Sequence, residues 1–506
     1  MSSSIVVVLD EAEAAARHDK GENAWWLYCT EVLDHVRLPY EVVERDDVRA
    51  RLAEGNVLAV FPREGRVLSR AGETTFPADV WERIVTIQQG HPVEQDGPPA
   101  PDGSCPVDDG ILKCDDGLAL SYDERALPPG QVRVEGVFPH VYPPRAAAPI
   151  FHRPTADLLR LEFLTAVFDA AATAGLALPW LHYWPAGVPA VAHMSHDSDG
   201  NVSEHAEAGL RVFDEAGVKV TWCHCYPGGY RPEVVAEIAA RGHEQALHYN
   251  AMGDADIASW GWPQLRAQYA WVQALTGVEE IVSNKNHYTR WEGWDEFFLW
   301  CERVGIRIDQ SRGPSKQGNV GFPFGSCHLW FPMAGPAERN RRIDVLELPL
   351  HTQDLAWASH ESIRDVILDG VLEVHGVAHF LFHSAHLATK PYVAEACRQV
   401  AAEARRRGMP WWTSKQLNAW ERARRGVRLT TLPGSSDGEL RVEVTAQAAI
   451  DQAGVVLAWP GLTPDATFRV TEGKATARVV TRHGRHVLEL AADLPAGVSR
   501  FTVAAG

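Results

Sequence analysis

The sequence has 506 residues, which is more than one ordinary domain holds and suggests roughly two to four domains. Apolar residues make up 45% of the chain and charged residues 23%, values that exclude a disordered or fibrous protein. The formal net charge is −18, and no block of Lys and Arg interrupts it, so nucleic acids and anionic membrane surfaces are excluded as partners.

The start of the sequence carries no pattern typical of export. It reads Met-Ser-Ser-Ser without a cationic start, and the apolar run Ile5 to Leu9 is too short for the core of a signal peptide. No stretch approaches the roughly 18 apolar residues of a membrane-spanning helix. We therefore expect a cytoplasmic protein without membrane insertion, whose oligomeric state the sequence leaves open.

Strand and helix patterns alternate over the first part of the chain. Strands are predicted at 5–9, 40–43 and 57–61, and helices at 23–36 and 80–89. This alternation predicts an open parallel sheet. Residues 1–145 are therefore expected to form an α/β domain, which resembles flavodoxin-type and glutamine-amidotransferase-like domains but lacks the Gly-x-Cys-x-Gly nucleophile turn of the amidotransferases.

A repeated strand, loop and helix pattern occupies the middle of the chain. Strands are predicted at 190–194, 218–222, 244–247, 280–282, 305–308, 345–348 and 378–382, and helices at 156–175, 205–215, 232–241, 263–276 and 391–407. The pattern predicts a distorted (β/α) barrel over residues 150–425. In such a barrel the functional residues follow the carboxyl ends of the strands.

The last part of the chain changes character. Short strands are predicted at 428–431, 440–444, 454–458, 477–480 and 486–490, and Gly, Pro and Asp residues separate them. Residues 426–506 are therefore expected to form a small β-sandwich.

Two carboxylates follow the first strand of the predicted barrel. Asp197 and Asp199 are separated by one residue, so both side chains point to the same side of the chain. Like charges this close need a cation or a shared proton between them. The pair is a candidate for one metal ligand and one base, although an Asp-x-Asp pair alone also occurs in turns and helix caps.

A second motif, Gly-His-Glu-Gln-Ala-Leu-His at 242–248, follows in the next strand and helix unit. Together with Ser-His-Asp-Ser-Asp-Gly at 195–200, it resembles the polysaccharide deacetylases, the NodB-homology group of carbohydrate esterase family 4. Three further segments continue the resemblance: the Asn-His-Tyr-Thr-Arg-Trp segment at 286–291, Ile-Asp-Gln-Ser at 308–311 and Phe-Leu-Phe-His at 380–383. The similarity covers about 190–425 and marks a divergent member.

The resemblance implies roles for particular residues. Asp197 is expected to be the catalytic base, Arg290 the group that orients it, and His383 the general acid that protonates the leaving amine. Asp199 and His248 are expected to bind a divalent metal, and Asp309 to support neighbouring site residues. The chemistry needs such groups, because a neutral amide resists water unless a cation activates the nucleophile and positioned groups accept and donate protons.

One position departs from the family pattern. The second family histidine, four residues after the first, is replaced here by Met252, a poor ligand for a hard or borderline cation. His287 is our candidate for the third metal ligand; the alternative is that it only packs among tryptophans. Oxygen and nitrogen ligands favour Zn²⁺, with Co²⁺, Ni²⁺ and Fe²⁺ also open.

These residues favour a hydrolase that removes an N-acyl group, acetyl above all, from an amino sugar or glycan. A first alternative is hydrolysis of another non-peptide C–N bond, with a small amide as the substrate. A second alternative is a carbohydrate-binding protein without catalysis, in which Met252 marks a decayed metal site. The sequence does not separate a polymeric substrate from a small molecule.

Overall fold

The computed structural model describes residues 4–20, 22–88, 107–108, 111–112, 150–151, 153–251, 260–291, 295–313, 320–334, 341–433 and 438–505. The chain divides into two compact units, each built from separate stretches. The first comprises Met1–Ile84, Leu158–Val188 and Ala419–Gly506, and the second comprises Val85–Asp157 and Pro189–Asn418. The contiguous domain ranges 1–145, 150–425 and 426–506 stay predictions.

The helices begin and end at residues suited to those positions. They are α1 Glu11–His18, α2 Trp25–His35, α3 Val48–Ala53, α4 Val80–Gln88, α5 Thr155–Thr173, α6 Ser203–Ala216, α7 Pro232–Ala240, α8 Trp262–Thr276, α9 Glu296–Val304, α10 Ile363–Val374, α11 Ser384–Thr389, α12 Pro391–Arg406 and α13 Ser414–Arg425. A proline opens α7 and α12, where its missing N–H costs no hydrogen bond. Gly217, with φ of 66°, ends α6 in the left-handed conformation that favours glycine.

The strands fall into several sheets. The first nine are β1 Ile5–Leu9, β2 Tyr40–Glu44, β3 Leu58–Phe61, β4 Arg66–Ser69, β5 Gly72–Thr75, β6 Val107–Asp108, β7 Ile111–Leu112, β8 Ile150–Phe151 and β9 Leu178–Pro185. The next nine are β10 Val191–Asp197, β11 Thr221–Cys225, β12 Glu244–Tyr249, β13 Ser283–Asn286, β14 Ile308–Asp309, β15 Phe322–Pro323, β16 Leu346–Glu347, β17 Thr352–Gln353 and β18 Val377–His383. The last are β19 Val427–Pro433, β20 Glu439–Ala446, β21 Ile450–Ala458, β22 Phe468–Glu472, β23 Thr476–Arg482, β24 Arg485–Leu494 and β25 Gly497–Ala505.

The second unit contains a curled sheet of eight parallel strands, in the order β16-β14-β13-β12-β11-β10-β18-β17. Strands β10 and β11 are buried along their whole length, as expected when both faces of a parallel sheet are covered. This α/β half-barrel fits the predicted barrel. Because the strands are parallel, their carboxyl ends lie along one edge, and the residues that follow them are brought together there.

Two predicted strands of this sheet were placed about three residues too early. The structure has β11 at Thr221–Cys225 and β13 at Ser283–Asn286, whereas apolar runs predicted 218–222 and 280–282. For β13, which reads Ser-Asn-Lys-Asn, the reason is that its polar side chains are buried. An apolar pattern cannot mark such a strand.

The first unit contains three sheets. In the first sheet β1 lies between β2 and β3 and is parallel to both, and β4 and β5 extend it in antiparallel fashion. The other two sheets have the orders β19-β20-β25-β22 and β23-β24-β21-β9. Strand β9, which falls inside the predicted range 150–425, pairs with β21. Side chains of both four-stranded sheets share one buried cluster, including Leu181, Val444 and Leu490.

None of the helices in the described ranges combines the length and apolarity that crossing a membrane requires.

Candidate metal centre and active site

Five strand ends of the parallel sheet bring the chemically important residues together. Asp197 and His383 are register partners on the neighbouring strands β10 and β18. On the other side of β10, Cys225 of β11 pairs with His248 of β12, and His248 pairs with Lys285 of β13. Register partners project to the same face of a parallel sheet, so these side chains line one side of its carboxyl edge.

Three of the predicted metal ligands converge. His248 Nε2 lies 3.2 Å from Asp199 Oδ1 and 3.1 Å from His287 Nδ1, and His287 Nδ1 lies 3.4 Å from Asp199 Oδ1. The Nδ1–H of His248 donates to the carbonyl oxygen of Lys285 at 2.9 Å, which leaves the lone pair of the neutral ring on Nε2, facing the other two atoms. The predicted grouping of Asp199, His248 and His287 therefore corresponds to one compact triangle.

The backbone after β13 directs the His287 ring into this triangle. Tyr288 and Thr289 both have positive φ, at 55° and 49°, a conformation that non-glycine residues adopt at a cost. The Asn286 N–H donates to Ser311 Oγ at 2.8 Å, and Asn286 Nδ2 donates to the Arg290 carbonyl at 3.0 Å. These bonds hold the turn that carries His287 in place.

The triangle fits a small divalent cation. Metal–nitrogen and metal–oxygen bonds of about 2.0–2.1 Å in a tetrahedral site put neighbouring ligand atoms about 3.3 Å apart, close to the three distances found. Among the described residues, the buried Oδ1 of Asp199 has no hydrogen-bond donor. Burial would raise the pKa of Asp199, but His287, His248 and His383 outweigh it and hold that pKa well below its usual range.

Cys225 belongs to the same group of possible ligands. Its Sγ, Asp199, His248 and His287 each offer one ligand atom, and these four atoms all lie within 4.8 Å of one another. Cys223, His224 and Cys225 lie within β11, and the strand brings the Cys225 thiol to the ligand triangle.

Asp197 lies beside the triangle and is 2% exposed. Its Oδ2 lies 3.7 Å from His248 Nε2 and 3.4 Å from the ammonium nitrogen of Lys285. Lys285 is fully buried, and its Nζ also donates to Ser195 Oγ at 3.3 Å. The buried ammonium thus supplies a counter-charge to the buried carboxylate.

The cation beside Asp197 is a lysine. Arg290 was expected to orient Asp197, but its guanidinium donates to the carbonyl oxygen of Ala251 and lies 5.9 Å from the centre of the Trp260 ring. Within the described ranges, Lys285 is the cation next to Asp197. The reason is geometric: Lys285 lies within β13 and points into the sheet interior, whereas Arg290 follows the turn after that strand.

His383 has a carboxylate partner that the sequence did not predict. Its Nδ1 lies 2.5 Å from Asp354 Oδ2, and its backbone N–H donates to Asp354 Oδ1 at 2.9 Å. The Nε2 atom faces the site, 3.9 Å from Asp197 Oδ2 and 3.7 Å from Asp199 Oδ2. Burial would lower the pKa of His383, but Asp354, Asp199 and Asp197 outweigh it and raise that pKa to about 10.

Asp354 is fully buried and bridges two imidazoles. His386 Nδ1 lies 2.8 Å from the Asp354 Oδ2 that also meets His383. Burial opposes ionisation of this carboxyl, but His383 and His386 hold the pKa of Asp354 far below its usual range. No local sequence signal marks Asp354, because only the pairing of β17 with β18 brings it to His383.

Asp309, expected from the sequence to support neighbouring site residues, accepts hydrogen bonds from two of them. Its Oδ1 accepts hydrogen bonds from Asn284 Nδ2 at 2.7 Å and from Ser311 Oγ at 2.8 Å. Ser311 in turn accepts the Asn286 N–H, next to His287. Met252, whose identity prompted the choice of His287, lies outside the described residues.

Comparisons with known proteins find similarity only among solved structures. No family model matches the chain, and neither does any curated protein. Among solved structures, the chain is similar to polysaccharide deacetylases.

Three of these structures illustrate the likeness. One, from Mycobacterium smegmatis, is described as a polysaccharide deacetylase and is 16% identical, with 51% of this chain and 98% of that chain covered at a TM-score of 0.36. A peptidoglycan N-acetylglucosamine deacetylase is 14% identical, with coverages of 46% and 89% and a TM-score of 0.30. A mutant of a CE4 family pseudoenzyme is 12% identical, with coverages of 46% and 68% and a TM-score of 0.29. Identities and TM-scores this low do not decide what the chain does.

Proposed function

We propose that this chain is a divalent-metal-dependent hydrolase that removes an N-acyl group, acetyl above all, from an amino sugar or glycan. The observation that carries the proposal is the triangle of Asp199 Oδ1, His248 Nε2 and His287 Nδ1, with edges of 3.1 to 3.4 Å, beside a buried carboxylate and a histidine. These residue types in this arrangement match what hydrolysis of an amide requires.

Asp199, His248 and His287 would hold the cation, with Zn²⁺ favoured by the oxygen and nitrogen ligands and Co²⁺, Ni²⁺ and Fe²⁺ as alternatives. A divalent cation bound there would act as a Lewis acid and make water a nucleophile near neutral pH. The hydrogen bond from His248 Nδ1 to the Lys285 carbonyl fixes the ring orientation that such binding needs.

Asp197 is the proposed base. Its buried carboxylate accepts the proton of the attacking water as the new C–O bond forms on the acyl carbon. Lys285, at 3.4 Å, supplies the counter-charge of this buried carboxylate and holds it in position. We assign the orienting role, which the sequence had given to Arg290, to Lys285.

His383 is the proposed acid. Its Nε2 faces the site, and it donates a proton to the leaving nitrogen as the C–N bond breaks. Asp354 holds the ring through Nδ1 and favours its protonated form. Because Asp197 and His383 are register partners on adjacent strands, base and acid lie side by side, 3.9 Å apart at their nearest atoms. Asp197 can therefore accept a proton and His383 can donate one during cleavage of the same C–N bond.

A carbohydrate is the proposed substrate. Trp357 is a large apolar side chain that is 39% exposed, and its ring centre lies 4.0 Å from that of His386, which touches the Asp354 carboxylate. An exposed indole next to the acid offers a flat apolar face for a sugar ring. Trp291, by contrast, is 1% exposed and packs in a core cluster.

The remaining parts of the chain are proposed as structural units. The order β2-β1-β3 of parallel strands supports a flavodoxin-like α/β domain within residues 1–145. The two four-stranded sheets that share a buried cluster support a β-sandwich built mainly from residues 426–506.

The experiment that tests the proposed function is acetate release by the purified full chain. The protein is stripped with a chelator, reloaded with Zn²⁺ and offered N-acetylated amino sugars, their oligomers and non-sugar amides. We expect acetate from the sugars, and none from Asp197→Asn, which keeps its metal. Asp214→Asn, an exposed carboxylate paired with Arg241, is the matched control and keeps activity. Release from the non-sugar amides alone, or from no substrate, would contradict the proposal.

A further inference from the structure

Cys225 is a reduced thiol that is 5% exposed and lies at the carboxyl end of β11. Its Sγ is one of four possible ligand atoms within 4.8 Å of one another, with Asp199, His248 and His287 supplying the others. An independent observation also points to a cation here: in the described part of the chain, the buried Oδ1 of Asp199 lacks a hydrogen-bond donor, although two imidazole nitrogens lie 3.2 and 3.4 Å from it.

We infer that Cys225 is a fourth protein ligand of the same cation, so that the centre is an Asp-Cys-His-His set. The inference rests on the proposed function, because it adds one residue to the ligands named there. It makes the site sulfur-containing, which the resemblance to polysaccharide deacetylases did not predict.

The backbone holds the thiol in place. The Cys225 N–H donates to Ser198 Oγ at 2.8 Å, and the Cys225 carbonyl accepts from Asn201 Nδ2 at 2.8 Å. Ser198 and Asn201 flank Asp199, so the loop that carries the carboxylate ligand is tied to the end of β11 on both sides. On its other edge, β11 pairs with β12 in a register that sets Cys225 beside His248. Thiol, carboxylate and imidazole are therefore fixed relative to one another.

The donor set has consequences for the metal. A thiolate and a carboxylate together balance the charge of a divalent cation, while the two imidazoles bind as neutral rings. Thiolate ligands favour zinc and cobalt over magnesium and manganese, which prefer oxygen. Four protein ligands leave water to bind as a fifth ligand, an expansion that zinc sites can undergo. We expect tight binding of Zn²⁺ and Co²⁺ and weak binding of Mn²⁺.

Cys223 provides a matched control on the same strand. It lies two residues before Cys225, so its side chain leaves β11 on the same face, and it is fully buried. It is not part of the ligand group. Burial and the neighbouring Asp197 carboxylate raise the pKa of the Cys223 thiol well above its usual value, so it remains protonated.

The test is the absorption spectrum of the full chain loaded with Co²⁺. We expect a thiolate-to-cobalt charge-transfer band in the near ultraviolet together with the visible bands of the bound cobalt ion. Cys225→Ser should lose the charge-transfer band, keep the visible bands and bind Co²⁺ at least about tenfold more weakly, since even partners outside the ligand set are worth about 10- to 100-fold in metal affinity. Cys223→Ser should keep both sets of bands.

A measurement on the unsubstituted protein covers the case in which Cys225→Ser does not fold. X-ray absorption of the zinc-loaded chain should show one sulfur neighbour at about 2.3 Å. Bound cobalt without a charge-transfer band, a band that persists in Cys225→Ser, or zinc without a sulfur neighbour overturns the Cys225 ligand and leaves the proposed function standing. A chain that binds neither metal overturns both.

Discussion

The ammonium nitrogen of Lys285 lies 3.4 Å from Oδ2 of Asp197, and the two side chains are 1% and 3% exposed. A cation and a carboxylate buried together stabilise each other, and removal of one partner leaves an uncompensated charge. The same pair lies next to the ligand triangle, since Asp197 Oδ2 is 3.7 Å from His248 Nε2. The positive charge beside the proposed base is therefore supplied by Lys285, a residue within β13.

Replacement of Lys285 by Met tests this dependence. We expect kcat to fall by about 10²-fold or more, the scale of a positioned acid or base. The loss should fall on kcat rather than on KM, because a base that has lost its buried cation is no longer held in place. Metal content should remain at the unsubstituted level.

Arg290→Met is the matched comparison for Lys285→Met. It removes the cation that the sequence had favoured, and we expect its kcat to stay near that of the unsubstituted enzyme. A loss of kcat in Arg290→Met without one in Lys285→Met would reverse our assignment. If Lys285→Met folds poorly, Lys285→Met combined with Asp197→Asn, which removes both charges, should recover part of the lost stability in thermal melting.

Asp354→Asn tests the acid. The pKa of His383 is raised to about 10 mainly by Asp354 against the effect of burial, so loss of the anion lowers it. A general acid works in its protonated form, and the alkaline limb of the kcat/KM profile should therefore move to lower pH, with a loss of about 10²-fold in rate. The pH profile of the zinc-loaded variant checks this. An alkaline limb at its original pH would show that Asp354 does not control the acid.

A stability effect is expected at the neighbouring buried pair Asp309 and Glu347, register partners on β14 and β16. Burial, and then the Asp309 charge, raise the pKa of Glu347 well above its usual value of 4.5. The folded state thus keeps a proton that the unfolded state releases, and stability is lost as pH rises above about 4.5, by about 1.4 kcal/mol per pH unit until the folded pKa is reached.

Glu347→Gln removes that titration. Below pH 4.5 the two proteins should melt at similar temperatures, because both side chains are neutral there. As pH rises, the melting temperature of the Gln variant should increase relative to that of the unsubstituted protein, since its amide has no proton to release in the unfolded state. Parallel melting curves from pH 4 to 7 check this expectation. A constant difference between the two proteins would mean that Glu347 is ionised in the folded state.

The indole of Trp357 provides a test of the substrate class. Trp357→Ala should raise KM for an N-acetylated sugar by about tenfold, which corresponds to about 1.4 kcal/mol of lost stacking, and leave kcat little changed. Trp357→Phe retains a flat apolar ring, so its KM should lie between those of the unsubstituted protein and Trp357→Ala. An effect on kcat alone would place this side chain in the chemistry rather than in sugar binding.

Much of the site was predictable because its residues follow parallel strands. Asp197, Asp199, His248, His287 and His383 all come at or just after strand ends, and the sheet brings them together. Lys285 was missed because it lies within the polar run Ser-Asn-Lys-Asn, which reads as a loop although its side chains are buried. Asp354 was missed because its contact with His383 spans 29 positions and depends on the pairing of β17 with β18.

In the first unit, too, one strand and its pairing could not be predicted from local sequence patterns. Strand β9 reads Leu-Pro-Trp-Leu-His-Tyr-Trp-Pro, and its two prolines argue against a strand. It is nevertheless the edge strand of the sheet β23-β24-β21-β9, a position that tolerates proline. Its partner β21 lies far along the chain, so no local pattern could predict the pairing.

The most direct test of the central claim is the metal content of the purified full chain after loading with Zn²⁺ and removal of excess. We predict one equivalent per chain, and a loss of most of it in each of Asp199→Ala, His248→Ala and His287→Ala. His360→Ala, an exposed histidine bonded to Ser362, should keep the full equivalent. Zinc-free protein after loading, or full occupancy in all three ligand variants, would contradict the proposed metal centre.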